Sequence, residues 1–302
     1  MNQEFLKSVK DQIPQLVVLQ DEPMKKHTTF RIGGPADFYT EPDEKQLAKL
    51  LEIEKEYDVP VTVIGNGSNL LVGDGGIRGL TIGIGKGLSK IEVSDNIITA
   101  GAGAILAAVA SKAAESSLGG MEFAAGIPGS IGGAVVMNAG AYGGEIKDII
   151  VSATVLTADG VVKELSKDEL DLSYRHSCVV QNGYIVLGAK LELEPKPQDE
   201  IRAQMAQLRE KRVEKQPLEF PSAGSTFKRP EGYFAGKLVM DAGLRGYSVG
   251  DAQVSEKHCG FVVNKGNATA ADVLALIKDV QKRVLDEFGV QLEPEVKMIG
   301  EF

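Results

Sequence analysis

The sequence predicts an α+β protein that is divided into two or three domains. The chain has 302 residues, enough for two or three hydrophobic cores. Strand, helix and strand patterns follow one another near both ends, whereas the middle is rich in strand patterns alone. An uncharged stretch at residues 126–144 with seven glycines interrupts that middle. So many glycines lose much backbone entropy on folding, so the stretch needs a structural reason.

Composition narrows the possible partners. Apolar residues make up 43% of the chain and charged residues 25%, as in an ordinary soluble globular protein. The net charge of -9, without any basic run, argues against a nucleic-acid partner. Two cysteines predict a reducing compartment, and no stretch reaches the length of a membrane span, so we expect a cytoplasmic protein. The three histidines lack zinc-site spacing, so we expect no metal.

The first part of the chain alternates helices and strands. Apolar residues recur at helical spacing over residues 2–13 and 43–57, which predicts two helices. An extended run lies at residues 16–19, and a glycine pair interrupts two strand-like segments in residues 25–42. Residues 61–72 then read as a buried strand that runs into a glycine loop.

The remainder of the chain is predicted from turn and cap signals. Asp159-Gly160 and Asn182-Gly183, each between apolar runs, predict two hairpins. Thr269 with Asp272 is a near match to a capping box, and Gly289 is the matching stop. Further helices are expected over residues 104–118, 201–215, 234–242 and 269–288, and further strands over residues 261–264 and 291–300.

Three glycine-containing segments are candidate ligand loops. The stretch at residues 122–144 can bring bare backbone amides to an anionic cofactor, or it can be a loop-rich hairpin. The segment Gly65-Asn66-Gly67-Ser68-Asn69 offers the same donors, or forms a simple turn. Arg31 before a glycine pair can meet a phosphate or lie in solvent. GSIGG lacks the Lys-Ser/Thr of a P-loop, and no GxGxxG opens a helix.

Six segments in one order carry a resemblance to a known family. They are TTFRIGGPA, VIGNGSNLLV, GIPGSIGGAVVMNAGAYGGE, SYRHS, PSAGSTFKRP and LEPEVKMIG, and the resemblance that they carry extends over residues 27–300. No single segment is decisive, but the ordered set resembles the UDP-N-acetylenolpyruvoylglucosamine reductases. These flavoenzymes make UDP-N-acetylmuramate for peptidoglycan.

The resemblance implies a vanillyl-alcohol-oxidase (PCMH-type) FAD-binding fold of two α/β subdomains plus a C-terminal α+β substrate domain. The expected bounds are 1–79 and 80–197 for the FAD-binding subdomains and 198–302 for the substrate domain. The glycine loops contain neither His nor Cys, so we expect non-covalent FAD. The expected FAD-binding residues are Arg31, Gly65, Asn66, Gly67, Ser68, Asn69, Gly126, Ile127, Pro128, Gly129, Ser130, Gly132, Gly133, Asn138 and Gly140.

The implied reaction has two halves in one site: NADPH reduces FAD, and the enolpyruvyl UDP-sugar is then reduced. By resemblance Ser225 is the proton donor, Arg175 grips the substrate carboxylate or enolate, and Glu295 orients or polarises the same group. Read without the resemblance, they are a turn serine, a surface ion pair and a strand-edge acid. Further substrate candidates are Tyr174, Lys228, Arg229, Lys237, Gln253 and His258.

The chain departs from one branch of that family. Between Arg175 and Leu193 it has no long insertion, so it resembles the shorter subclass, which lacks a tyrosine-bearing loop over the substrate. Two other functions stay open at this stage. One is an FAD oxidase or dehydrogenase of alcohols or hydroxy acids on the same fold, and the other is a sugar-nucleotide binding module without catalysis.

Overall fold

The computed structural model describes residues 2–302, and the chain folds into two compact units. The first, here called unit 1, comprises, of the described residues, those up to 19 together with 39–66 and 81–212. The second, unit 2, comprises residues 20–38, 67–80 and 213–302. Each unit is therefore assembled from separate parts of the chain.

Helices begin and end largely where the sequence signals predict. Asp43 caps α2 with a capping box through Gln46, and Thr269 caps α9 in the same way. Gly289 ends α9 in the left-handed conformation, as predicted. The α-helices are α1 (Gln3–Gln12), α2 (Glu44–Tyr57), α3 (Leu106–Glu115), α4 (Ile131–Met137), α5 (Ile146–Ile149), α6 (Cys178–Gln181), α7 (Gln198–Lys215), α8 (Ala235–Asp241) and α9 (Ala270–Phe288). Short 3₁₀ helices lie at Met24–Lys26, Lys86–Leu88 and Glu122–Gly126.

The strands are mostly short. They are β1 (Val18–Pro23), β2 (Pro35–Thr40), β3 (Val61–Ile64), β4 (Leu70–Val72), β5 (Ile77–Gly83), β6 (Ile91–Ser94), β7 (Ile97–Gly101), β8 (Leu118–Gly119), β9 (Gly140–Ala141), β10 (Gly144–Glu145), β11 (Ile150–Leu156), β12 (Val162–Ser166), β13 (Ile185–Glu192), β14 (Glu194–Pro195), β15 (Ser222–Ser225), β16 (Ser248–Val249), β17 (Ala252–Val254), β18 (Phe261–Asn264) and β19 (Lys297–Ile299). One four-stranded sheet has the order β1-β2-β5-β3.

Unit 1 is built on a five-stranded sheet in the order β12-β11-β13-β7-β6. The hairpin predicted at Asp159-Gly160 is confirmed, because β11 and β12 pair antiparallel up to Leu156 and Val162. The hairpin predicted at Asn182-Gly183 is wrong: Asn182 ends the short helix α6, and Gly183 (φ +63°) leads into β13. Asn-Gly supplies the same left-handed backbone at a helix end as in a two-residue turn.

Unit 2 contains the sheet β15-β18-β17-β16, and α9 contributes the largest part of its buried core. The chain returns through β19, which pairs parallel to β4. The predicted strand over residues 291–300 is therefore shorter than expected, at Lys297–Ile299. The predicted strand at residues 261–264 is confirmed as β18.

A buried ion pair holds the start of α7 against the 3₁₀ helix Glu122–Gly126. Glu122 is 5% exposed, and its Oε1 lies 3.0 Å from Lys196 Nζ. The amide of Gly120 donates to the other carboxylate oxygen at 2.7 Å. Nearby, Gln198 Nε2 donates to the carbonyl of Ala114. Ile201, 1% exposed, buries the apolar side of the helix.

Replacing Lys196 with methionine should lower the free energy of unfolding by about 1–3 kcal/mol, because Glu122 then keeps its burial but loses its cation. Lys190→Met is the matched control, since its partner Glu164 is half exposed, and its cost should be clearly smaller because solvent screens the pair. Urea unfolding of both variants measures the difference. Equal costs would contradict a special role for the buried pair.

The same pair predicts a pH dependence. Burial raises the pKa of the Glu122 carboxyl, but hydrogen bonds from its own amide, Lys196 and Gly120 lower that pKa by more, so it lies below its ordinary value. The contribution of Glu122 to the free energy of unfolding is therefore fully present above the pKa that this carboxyl has in the unfolded chain. It is lost as the pH falls through the pKa that the carboxyl has in the folded protein. Between about pH 5 and about pH 2, wild type should lose more unfolding free energy than Glu122→Gln, measured by urea titration at each pH. Parallel curves would contradict this.

Candidate functional site

In unit 1 the end of β3 meets the second glycine loop. Asn66 follows β3 and its Nδ2 donates to the carbonyl of Pro128 at 2.8 Å. A Cβ on Gly65 would lie 2.8 Å from Ser130 Oγ and 3.9 Å from the amide nitrogen of Gly133. Two segments about sixty residues apart in sequence are thus joined by the Asn66–Pro128 hydrogen bond, with the Gly65 backbone and the Ser130 hydroxyl beside it.

Ser130 carries a buried hydroxyl with no partner. Its residue exposure is 2%, and Oγ has no hydrogen-bond partner within residues 2–302. Leaving such a group unpaired costs about 1–3 kcal/mol. A Cβ on Gly133 would meet only this same Oγ, at 3.8 Å. An unpaired hydroxyl flanked by bare glycine backbone fits a polar ligand that approaches the main chain closely, as FAD does.

Other glycines of the stretch have reasons within the protein. A Cβ on Gly132 would lie 3.0 Å from the Cβ of Ala102, so this glycine lets α4 approach the turn that follows β7. A Cβ on Gly140 would lie 2.7 Å from the carbonyl oxygen of Gly144, where β9 and β10 pair. Gly129 and Ile127 form the backbone turn between these parts, with the amide of Gly129 donating to the carbonyl of Ile127.

Asn138 connects α4 to the segment that carries Arg175. Its Nδ2 donates to the carbonyl of Ser173 at 3.2 Å and to Glu145 Oε2 at 3.0 Å. Its Oδ1 accepts from the amide of Lys147. The predicted cofactor residue Asn138 therefore has its side-chain amide engaged by the protein itself.

Tyr174 and Arg175 form the tip of a tight turn. Ser173 and His176 exchange backbone hydrogen bonds of 3.2 and 3.1 Å, and Arg175 has φ +55°. A positive φ is strained for a long side chain, and the flanking hydrogen bonds hold it. The Arg175 guanidinium carbon lies 5.5 Å from the ring centroid of Tyr174, which is 55% exposed. The turn presents a planar cation and an aromatic ring together.

In unit 2 the segment with Arg31 packs on the loop after Asn66. The amide of Thr29 donates to the carbonyl of Gly67 at 3.2 Å. A Cβ on Gly67 (φ +61°) would lie 2.0 Å from the carbonyl oxygen of His27, so only glycine fits there. Arg31 is exposed and has φ +55°. Ser68 follows in the same loop and is partly buried.

Ser225 and Glu295 come together in unit 2. The amide of Glu295 donates to the carbonyl of Thr226, the residue after Ser225, at 2.8 Å. Asn69 Nδ2 donates to the carbonyl of Glu295 at 3.1 Å. Glu295 is 7% exposed, whereas Ser225 is partly open at the end of β15. A positive φ at Gly224 and a register shift in β15 re-aim the strand just before Ser225.

The other predicted substrate residues of unit 2 have partners within the protein. Lys228 lies 2.9 Å from Glu293, and the Arg229 guanidinium lies 4.2 Å from the ring centroid of Phe234. The remaining three interact with residues close to them in sequence. Lys237 pairs with Asp241, Gln253 donates to Gly246 and Ser248, and His258 Nδ1 accepts from the amide of Gly260.

Burial lowers the pKa of His258, and the nearby charge of Lys215 adds to this, although a backbone hydrogen bond of its own opposes it. The ring stacks edge-on against Phe261, with centroids 5.1 Å apart. Its Nδ1 accepts a hydrogen bond from the Gly260 amide, as a neutral imidazole does. A neutral ring supplies a hydrogen-bond donor at Nε2 rather than a positive charge.

One residue of unit 1 that the sequence analysis did not single out lies against the glycine stretch. Arg212, near the end of α7, approaches Gly126 so closely that a Cβ there would lie 3.1 Å from Arg212 Cδ and 3.4 Å from Nη1. Its charge lies in a helix full of exposed charges, so no sequence pattern distinguished it.

The predicted site residues therefore fall into two groups. Unit 1 brings Gly65 and Asn66 to Ser130, and Asn138 to the turn of Tyr174 and Arg175. Unit 2 brings the Arg31 segment to the loop of Gly67, Ser68 and Asn69, and Ser225 to Glu295. Within residues 2–302, no His, Cys, Asp and Glu side chains are grouped to hold a metal, and none of the helices is long and apolar enough to cross a membrane.

Comparison with known proteins gives two family matches. Residues 216–299 match the model of the UDP-N-acetylenolpyruvoylglucosamine reductase C-terminal domain, and residues 38–166 match an FAD binding domain. UDP-N-acetylenolpyruvoylglucosamine reductase of Agathobacter rectalis is 75% identical, and the match covers 100% of both chains. The reductase of Lachnoclostridium phytofermentans is 52% identical, over 100% of this chain and 99% of that one.

The fold is matched by a solved structure. The crystal structure of the reductase from Thermus caldophilus has a TM-score of 0.80 and 35% identity, covering 94% of this chain and 98% of that one. The predicted fold class, an α+β protein with a PCMH-type FAD-binding fold, is confirmed. The chain belongs to the UDP-N-acetylenolpyruvoylglucosamine reductase family.

Proposed function

We propose that this chain reduces the enolpyruvyl group of UDP-N-acetylglucosamine enolpyruvate to UDP-N-acetylmuramate in peptidoglycan precursor synthesis, with NADPH as reductant and FAD as bound cofactor. Family membership supports the activity. The structural observation that carries it is the backbone hydrogen bond from Glu295 to Thr226, because it holds a hydroxyl and a buried carboxyl on adjoining segments. Reduction of an enol ether next to a carboxylate needs such a pair beside its substrate.

Bound FAD would supply hydride transfer between NADPH and the methylene carbon of the enolpyruvyl group. We assign the junction of Gly65, Ser130 and Gly133 to the cofactor, where backbone atoms and the unpaired hydroxyl meet it. Gly67, Ser68 and Asn69 line the continuation of the first loop. Gly132, Gly140 and Asn138 support this region from within the protein. Arg31, Asn66, Gly126, Ile127, Pro128 and Gly129 remain proposed cofactor contacts.

Ser225 gives its hydroxyl proton to the carbon next to the carboxylate. That carbon carries the electron pair left by hydride addition, and the proton completes the two-electron reduction. A free serine hydroxyl is a weak acid, so nearby positive charge has to favour the alkoxide until solvent reprotonates it. Lys228 is three residues away, and its pairing with Glu293 lies at the surface, where substrate binding can exchange it.

Arg175 holds the substrate carboxylate or enolate. A planar fork can donate two parallel hydrogen bonds to these oxygens, and its charge stabilises the negative charge that develops there. Glu295 is assigned to orient the same group. Tyr174, Arg229, Lys237, Gln253 and His258 are proposed contacts of the UDP-sugar, with His258 as a neutral donor.

We further propose that the enzyme works in the cytoplasm, since it uses NADPH and a nucleotide sugar and has two thiols that are unbonded and buried. Its domain bounds are proposed at 1–79, 80–197 and 198–302. The rival activity, oxidation of an alcohol by the same fold, would need a base at the reacting carbon in place of Ser225. A binding module without catalysis would not be bleached by NADPH.

The proton-donor role predicts a split between the two half-reactions. In Ser225→Ala the visible flavin absorbance should still fall when NADPH is added without oxygen. Its recovery on adding the enolpyruvyl UDP-sugar should slow by about 10²–10⁴-fold, the range for a lost general acid. Stopped-flow absorbance measures both steps. Ser222→Ala is the control, and recovery in Ser225→Ala at the wild-type rate would refute the assignment.

The cofactor assignment predicts a loss of flavin affinity from one hydroxyl. Ser130→Ala should weaken FAD binding by about 5- to 30-fold, while the apoprotein should be no less stable, because the removed group had no partner in the protein. Fluorescence titration of apoprotein with FAD and thermal unfolding measure the two quantities. The exposed Ser94→Ala is the control. Unchanged FAD affinity together with a destabilised apoprotein would contradict a ligand role.

A further inference from the structure

Arg212 is a cation without a counter-ion. Within residues 2–302 its guanidinium has neither a hydrogen bond nor an ion pair, although it carries five donors. Burial lowers its pKa, and the phenol of Tyr142 is the one titratable neighbour that opposes this shift. An uncompensated, partly desolvated arginine is costly, so it calls for a ligand.

The helix that bears Arg212 is anchored at its start. The start of α7 is fixed to unit 1 through Lys196 and Glu122 and through Gln198 and Ala114. Glu122 begins the 3₁₀ helix that ends at Gly126, the residue that Arg212 covers. Gly126 is exposed, so the guanidinium lies over backbone that a ligand can reach.

Arg212 contacts the stretch that carries Ser130, and Tyr142 is part of that stretch. The stretch from 126 to 144 has no charge of its own, so any anion bound there must receive its positive charge from another segment. Arg212 is a charged residue of unit 1 that meets this condition by contact with Gly126. It lies outside both regions matched by family models, residues 38–166 and 216–299.

We propose that Arg212 is a cofactor-binding residue whose guanidinium takes phosphate oxygens of the FAD pyrophosphate above Gly126. The assignment rests on the proposed function, since it requires FAD at the glycine stretch. In this arrangement the glycine backbone lets the cofactor approach closely and Ser130 forms a neutral hydrogen bond. Arg212 on α7 supplies the positive charge. A planar, always charged fork suits a pyrophosphate better than an ammonium does.

The test measures ligand binding in the full-length apoprotein by fluorescence titration. The proteins are wild type, Arg212→Gln, Arg212→Lys and Arg209→Gln; the last removes the same charge from an exposed position on α7. The probes are FAD, ADP and riboflavin, which lacks phosphate. Arg212→Gln should weaken FAD and ADP binding by about 10- to 100-fold, the range for a lost charge-assisted hydrogen-bond pair. Riboflavin binding should be unchanged.

Two further readouts separate binding from folding. Apo Arg212→Gln should unfold at the wild-type temperature or higher, because an uncompensated charge is removed, and added FAD should raise that temperature less than in wild type. Arg212→Lys should fall between the two proteins. If Arg212→Gln is poorly folded, Arg212→Lys decides in its place: FAD and ADP affinities equal to those of wild type would overturn the proposal.

Each outcome decides a different point. If wild type binds no FAD, the proposed function fails. If wild type binds FAD and Arg212→Gln binds FAD and ADP equally well, the inference about Arg212 fails alone. A raised KM for the UDP-sugar with unchanged FAD affinity would assign the arginine to the substrate and overturn the cofactor role. An equal loss of riboflavin affinity would show a general disturbance of the site and overturn the pyrophosphate contact.

Discussion

The amide of Asn138 is the connection on which the unit 1 site depends. It stands at the end of α4 with φ +41°, a conformation that asparagine tolerates better than most residues. From there it donates to Ser173 and Glu145 and accepts from Lys147. Only an amide side chain supplies donors and an acceptor in one planar group. The helix that begins beside Ser130 and the turn that presents Arg175 therefore share one buried anchor.

The glycines around this anchor serve different purposes that composition hides. Gly132 and Gly140 are small because protein atoms lie where a Cβ would be, whereas Gly133 meets little besides the unpaired Ser130 hydroxyl. Gly67 is required by both its backbone conformation and the His27 carbonyl. In the sequence all four look alike, since the residue type alone does not show whether protein or ligand atoms pack against it. A density of glycine predicts close approach, and only the fold shows what approaches.

Most of the fold could be predicted from signals between neighbouring residues, whereas the proposed site depends on contacts between distant segments. The capping boxes at Asp43 and Thr269 and the hairpin at Asp159-Gly160 depend on neighbouring residues, so they could be read correctly. The hairpin prediction at Asn182-Gly183 is wrong because the same dipeptide can either end a helix or close a hairpin. The approach of Thr226 to Glu295 joins segments about seventy residues apart, and no spacing rule predicts it. Only the family resemblance predicted that Ser225 and Glu295 belong to one site.

Charge placement explains why Arg212 could not be found by motif. A guanidinium inside the glycine stretch would compete with the bare backbone for the same volume, and a long side chain there would block the approach that glycine permits. Supplying the cation from α7 avoids this conflict, because a helix anchored through Glu122 and Lys196 can project one arginine over Gly126. The apoprotein then retains two unmet groups in unit 1, the Ser130 hydroxyl and the Arg212 charge. Their desolvation is a cost of folding that an anionic ligand at the proposed site would offset on binding.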